Sequence, residues 1–301
     1  MRGGLEQDRE FHCEAFGKWI LAGEHSVLRG SPALVFPLRS SSLKLSFFPS
    51  SEPLHVDFLG SRGEEMRLLF WGVLESALER LHVDRSLLRG QVKLQSELQV
   101  GAGLGASAAL CVAVSRWCAD QGWIEPKGLY DFARSLENLF HGESSGVDVA
   151  MALRAEPLRF LRSGETRPLA LSWQPEWGLS YCGQRGVTSE CVRKVQMLEK
   201  TQPDLFESLD EQMSQAVELA ERALWLPESE ESLGLLIQSL DLASDCFEQW
   251  GLTSGKLGEH MQDLRRQGAL AVKPTGSGGG GFVLSLWSKG TLPEGLGLLK
   301  T

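Results

Sequence analysis

A chain of 301 residues, 42% hydrophobic and 23% charged, has the composition of an ordinary globular protein and the length for two domains or one large one. Its formal charge of −9 and the lack of any Lys/Arg run argue against a surface that tracks nucleic acid. The polar start, residues 1–10, and the absence of an apolar run of bilayer length argue against secretion and membrane insertion.

Segments 11–16 and 19–22 read as short strands, with Gly17-Lys18 between them as a break that presents a lysine. Further strands are expected at 33–38, 43–48 and 54–59, separated by Ser/Pro/Gly turns, so the first third is β-rich. Leu69, Val73, Leu74, Leu78 and Leu81 recur at helical spacing and predict a helix over 66–81. Near-alternation over 88–98 then predicts a strand, and the unbroken apolar stretch 106–118 a buried helix. A second amphipathic helix is expected over 128–140, with Glu137 near its end, and a short helix or turn at 147–151. Strands are expected at 159–163 and 177–182, with a domain boundary near 164–176. Four helices follow, over 191–198, 203–224, 229–250 and 254–267, punctuated by Pro203 and Pro227. Strands at 269–273 and 282–287 flank a glycine run, Gly278 to Gly281, that marks either close backbone approach or a flexible hairpin. Cys13, Cys111, Cys118, Cys182, Cys191 and Cys246 form no Cys-x-x-Cys pair and read as reduced thiols of a cytoplasmic protein.

Between the strand at 88–98 and the helix at 106–118 lies Val100-Gly101-Ala102-Gly103-Leu104-Gly105-Ala106-Ser107-Ala108-Ala109. A glycine turn leading straight into a helix gathers unpaired N–H groups and the positive end of the helix dipole around one small volume, which suits phosphate. The spacing lacks the Lys and Ser/Thr of a Walker A loop and the complete dinucleotide fingerprint. A tight strand-to-helix turn without a ligand is an equally open reading of this stretch alone.

Three stretches taken together carry a resemblance. Gly17-Lys18-Trp19-Ile20-Leu21-Ala22-Gly23-Glu24-His25-Ser26-Val27-Leu28-Arg29-Gly30-Ser31-Pro32-Ala33-Leu34, then Gly101 to Ala109, then Lys273-Pro274-Thr275-Gly276-Ser277-Gly278-Gly279-Gly280-Gly281 resemble the ordered motifs of the GHMP kinases. These are small-molecule kinases named for galactose, homoserine, mevalonate and phosphomevalonate. Gly23-Glu24-His25 with Val27-Leu28, Gly30 and Pro32-Ala33-Leu34 looks most like the mevalonate kinase branch. So does Glu137 ahead of His141-Gly142-Glu143-Ser144-Ser145-Gly146-Val147-Asp148.

The resemblance implies an α+β fold in two lobes, an N-terminal lobe like domain 2 of ribosomal protein S5 over 1–170 and a ferredoxin-like C-terminal lobe over 171–301. It implies ATP- and Mg2+-dependent phosphorylation of mevalonate in a chain that can be a homodimer, with phosphomevalonate kinase or another GHMP small-molecule kinase as the alternative. A kinase-like metabolite sensor without turnover is the non-enzymatic alternative. Carried over residue by residue, Gly101, Gly103, Leu104, Gly105, Ala106, Ser107 and Ala108 would hold the ATP phosphates, and the Ser107 hydroxyl and Glu137 would bind Mg2+. Asp148 would accept the proton of the substrate hydroxyl or orient it, with Lys18 favouring the ionised carboxylate and the developing alkoxide. Glu24, His25, Thr188, Gly276, Ser277 and Gly278 would line the substrate site. The chain departs from the family pattern at Ala106, where a serine is common, at Gln99-Val100, where prolines are usual, and at Val149 and Gly186, where mevalonate kinases commonly carry asparagine and arginine.

Overall fold

A computed structural model describes residues 9–141 and 144–299. Most of the polar start and Gly142-Glu143 of the Glu137–Asp148 stretch lie outside the described residues. The chain divides into two compact units interleaved along the sequence, Met1–Gly17 with Ser41–Val100 and Gly105–Ala155, and Lys18–Ser40 with Gly101–Leu104 and Glu156–Thr301. Residues 164–176, where a boundary is expected from sequence, therefore lie inside the second unit.

The first two strands differ from expectation. β1 (Phe11–Ala22) runs without interruption through Gly17-Lys18, and β2 (Ala33–Pro53) runs through the polar residues 39–42 that suggested a turn. In β1 the alternation of exposure stops at Phe16, and residues 17–22 are all buried. A strand covered on both faces leaves no period-2 signal, so a glycine and a lysine within it look like a break.

In the first unit β3 (His55–Leu59) pairs in parallel with β4 (Arg89–Ser96), and β4 pairs antiparallel with Leu43–Pro49 of β2. Gly90, Val92, Leu94 and Ser96 of β4 are buried while most residues between them face outward, the pattern of a sheet with one wet face. The covered face meets α1 (Arg67–Leu81), α2 (Ala106–Asp120) and α3 (Leu129–His141), with α4 (Val147–Arg154) against α2. Leu110, Val112 and Val114 of α2 are fully buried, and each contributes about 1.5–3 kcal/mol by leaving water. Because α2 is apolar all round, it is the centre of this core.

In the second unit Ala33–Val35 of β2 pairs with β5 (Leu158–Phe160), which pairs with β6 (Thr166–Pro168). A separate antiparallel sheet contains β7 (Glu176–Tyr181), β8 (Ala271–Thr275), β9 (Phe282–Trp287) and β10 (Gly297–Leu299) in the order β10-β7-β9-β8. Between β7 and β8 run α5 (Thr188–Thr201), α6 (Pro203–Trp225), α7 (Glu230–Gln249) and α8 (Lys256–Arg266). Ala271, Leu284 and Leu286 join the core built on α6 and α7, whereas Val272, Val283 and Trp287 join the core under α8. This is the strand order of a ferredoxin-like sheet, with turns over 288–296 in place of its second helix. β6 and β10 were not expected from sequence, because three residues are too few to show a period. No described helix is long and apolar enough to cross a membrane.

Candidate active site

In the second unit the start of the glycine loop and the late glycine run meet. A Cβ on Gly276, whose φ is 101°, would stand 3.3 Å from the Gly103 carbonyl oxygen, and one on Gly103 would stand 3.4 Å from that of Thr275. The Lys18 N–H donates to the Leu104 carbonyl at 2.9 Å, so β1 anchors the same loop. Ile20 N–H donates to Thr275 Oγ1 at 2.7 Å, and Thr275 Oγ1 in turn donates to the Ile20 carbonyl at 3.1 Å. Close approach, rather than a flexible hairpin, thus accounts for the glycines here. Thr188 at the start of α5 shares a hydrogen bond of 3.3 Å with Ser277, which brings those two expected substrate residues together. Gly186, where mevalonate kinases commonly carry arginine, lies so near the Gly278 carbonyl that a Cβ would stand 2.5 Å from its oxygen, which gives that departure a local cause.

Gly278 has φ 80°, and a Cβ there would stand 2.9 Å from Leu252 Cβ and 3.0 Å from Phe247 Cδ1. Gly278→Ala is accordingly expected to destabilise by about 2–4 kcal/mol, from left-handed strain and overpacking together. Denaturant titration measures this, and an unchanged midpoint would mean that the loop rearranges freely.

The turn Gly23-Glu24-His25 is buried beside this loop. His25 takes φ 59°, which a non-glycine residue adopts rarely and which recurs at functional sites. Its Nε2–H donates to the Ser277 carbonyl at 2.9 Å, and burial pushes the imidazole down to about 4, so the ring is neutral at neutral pH. Glu24 pairs with a residue given no role by sequence reasoning: Lys273 Nζ donates to Glu24 Oε1 at 2.5 Å, to the Pro274 carbonyl at 2.6 Å and to the Ile20 carbonyl at 3.3 Å. It also lies 5.4 Å from the centre of the Phe247 ring. Lys273 is 0% and Glu24 2% exposed, and Lys18, 4% exposed, adds its charge to both. Burial pushes the Glu24 carboxyl up and the Lys273 ammonium down, each against the pull of its partner. The only sequence signal was a lysine inside an otherwise apolar strand, Ala271-Val272-Lys273.

The first unit holds the remaining expected residues. Gly105, φ 75°, precedes α2, and as a glycine it offers no side-chain cap to the amides of Ala106, Ser107 and Ala108. An uncapped helix start of this kind suits a phosphate. Glu137 on α3 is 1% exposed and accepts a hydrogen bond from Ser144 Oγ. Its charge is felt at Cys111, one turn beyond Ser107 on α2: burial pushes that thiol up, and Glu137 pushes it further. Asp148 is half-buried in the first turn of α4, which opens at Gly146 with φ 84°. Ser107, Glu137 and Asp148 thus share the first unit, whereas Lys18, Glu24, His25, Thr188 and Gly276–Gly278 share the second.

Among the described residues no group of three or more His, Cys, Asp and Glu side chains could hold a metal. One buried carboxylate, Glu137, and one hydroxyl, Ser107, are hard oxygen donors of the number that suits Mg2+ when phosphates and water complete its shell.

Residues 69–156, from α1 to just past α4, match the profile described as GHMP kinases N terminal domain. The mevalonate kinase of Pyrococcus horikoshii is 28% identical, over 91% of this chain and 88% of that protein. The mevalonate kinase of Archaeoglobus fulgidus is 28% identical over 94% of each. A crystal structure of L. major mevalonate kinase in complex with R-mevalonate aligns with a TM-score of 0.76 at 25% identity, over 96% of this chain and 91% of that one. By its ordered motifs, by the domain matched over residues 69–156 and by its fold, the chain is similar to the GHMP kinases.

Proposed function

We propose that this protein is an ATP-dependent mevalonate kinase that transfers phosphate to the primary hydroxyl of mevalonate. One observation of structure supports the reading most directly: the start of the glycine loop closes on the late glycine run, a Cβ on Gly276 standing 3.3 Å from the Gly103 carbonyl oxygen, and the Lys18 N–H anchors the same loop through the Leu104 carbonyl at 2.9 Å. The relatives that match nearly the whole chain support the choice of acceptor.

In this reading the loop amides from Gly101 to Ala108 cradle the phosphates of ATP, and the Ser107 hydroxyl and Glu137 hold Mg2+. Bound with the nucleotide, Mg2+ neutralises charge that develops on the transferring phosphoryl group. Asp148 orients the acceptor hydroxyl and takes its proton, and Lys18 supplies positive charge for the developing alkoxide. Glu24, His25, Thr188 and Gly276–Gly278 position the acceptor. Because the transition state of phosphoryl transfer is loose, these residues act chiefly through placement and electrostatics. The proposal places the enzyme in the cytoplasm, in keeping with six cysteines that are all free thiols.

A coupled ATPase assay across mevalonate, phosphomevalonate, homoserine and galactose tests the acceptor. A kcat/KM for mevalonate roughly 10²-fold or more above the others is expected, because a site built to bond a hydroxyl discriminates strongly against analogues that misplace it. Preference for phosphomevalonate would reassign the enzyme to the next phosphorylation. Nucleotide and mevalonate binding without product would leave a metabolite sensor.

A further inference from the structure

α3 carries an arginine to which the proposed chemistry gives no task. Tyr130, Arg134 and Asn138 follow one another at four-residue spacing, so they form one stripe along this helix. Each of them meets the turn that opens α4. Arg134 donates to the Ser144 carbonyl from Nε at 3.3 Å and from Nη2 at 3.1 Å, and Asn138 Oδ1 accepts the Ser144 N–H at 2.9 Å. A Cβ on Gly146 would stand 2.2 Å from Tyr130 Oη, and 3.1 and 3.2 Å from Cδ and Nε of Arg134. Within the turn the Gly146 N–H donates to Ser144 Oγ at 3.0 Å and the Val147 N–H to Ser145 Oγ at 3.3 Å.

We propose that Arg134 is a positioning residue for Asp148: by gripping the Ser144 carbonyl it fixes the direction in which α4 starts, and with it the place of the carboxylate in the first turn of that helix. Asp148 is two residues beyond Gly146, and α4 is tied to Gly146 by the Ala150 N–H, so a shift of the turn is passed on to it. A guanidinium that bonds one carbonyl through two N–H groups is a directional, charge-assisted tie. Tyr130 acts differently: its hydroxyl is buried without a hydrogen-bond partner among the described residues, and it serves as a stop against Gly146 rather than as a bond. The role of Arg134 rests on the assignment of Asp148 to the acceptor hydroxyl. Displacing such a group by about 1 Å can cost about 10²-fold in rate.

Steady-state kinetics of the full-length protein in a double-mutant cycle tests this. Arg134→Met is expected to lower kcat about 10²-fold and to change the KM for mevalonate less than about threefold, because a misplaced reacting group is felt in the transition state and not in ground-state binding. Asp148→Ala removes what Arg134 positions, so in that background Arg134→Met should lower kcat by no more than about threefold. Arg134→Lys keeps the charge and one donor but not the fork, and should bring turnover back to within about tenfold of the unaltered chain. If Arg134→Met does not fold, Arg134→Lys is taken through the same cycle. Undiminished kcat in the Arg134 variant, or equal fold-losses with and without Asp148, would overturn the inference; equal losses are what general damage predicts, or an effect through Glu137, which accepts from Ser144 Oγ. Asp148→Ala separates the two levels: undiminished turnover there removes the assignment of Asp148 and the role of Arg134 with it, whereas a large loss there with none in the Arg134 variant removes only the role of Arg134.

Discussion

Asp148→Asn is expected to lower kcat by about 10²–10⁴-fold while ATP binding, followed by calorimetry, stays near its original strength. The amide has almost the size of the carboxylate and can still accept a hydrogen bond from an acceptor hydroxyl through its oxygen. It cannot take the proton, and it carries no charge. The substitution therefore separates two contributions that the carboxylate combines. A loss near 10² would mean that orientation supplies most of the effect, and a loss near 10⁴ would put the weight on proton removal. The backbone should not move, because α4 is opened by Gly146 and continued by the Ala150 N–H bonding to the Gly146 carbonyl at 2.9 Å, neither of which involves the Asp148 side chain. Undiminished turnover would remove Asp148 from the mechanism.

Lys273→Met is expected to cost about 3–5 kcal/mol, the usual penalty for removing one member of a buried ion pair. At about 2–4 °C per kcal/mol, the melting temperature should fall by roughly 6–20 °C. The cost arises less from lost attraction than from what remains, since Glu24 is 2% exposed and its Oε2 has no hydrogen-bond partner among the described residues. Replacing both partners by apolar residues, Glu24→Leu with Lys273→Met, should recover most of the stability, because no uncompensated charge is then buried. Activity should not return with stability, since Glu24 is assigned to the acceptor site. A Lys273→Met protein that melts with the unaltered chain would refute the structural role of the pair.

How much of this could be read from the chain itself follows from which signals are local. The helices at 66–81, 106–118, 128–140, 203–224 and 229–250 match α1, α2, α3, α6 and α7 to within a few residues, because an apolar stripe or an unbroken apolar run is written in neighbouring positions. β1 was divided in two because covering both faces of residues 17–22 erases alternation and leaves Gly17-Lys18 looking like a break, whereas β2 was divided because its exposed or half-exposed polar residues 39–42 look like a turn. Of the site, the motif residues were legible, but their bonds were not. A buried lysine and a solvated one have the same letter, and only the approach of β8 to the Gly23-Glu24-His25 turn makes Lys273 a partner of Glu24.

The four-stranded sheet also implies an order of assembly. α6 and α7 are neighbours joined by a short turn, and the second begins with a reciprocal cap between Ser229 and Ser232, so their docking needs little chain closure. β7, by contrast, finds its partner about a hundred residues away, with Tyr181 set against Phe282 and Trp177 against Leu286. That loop must close, at an entropic cost growing with the logarithm of its length, before the first rung of the ladder returns any favourable energy. The helical hairpin can thus form as a platform while β7 is still an unpaired edge, and the long closures that bring β9 and then β10 beside β7 come late in making this sheet.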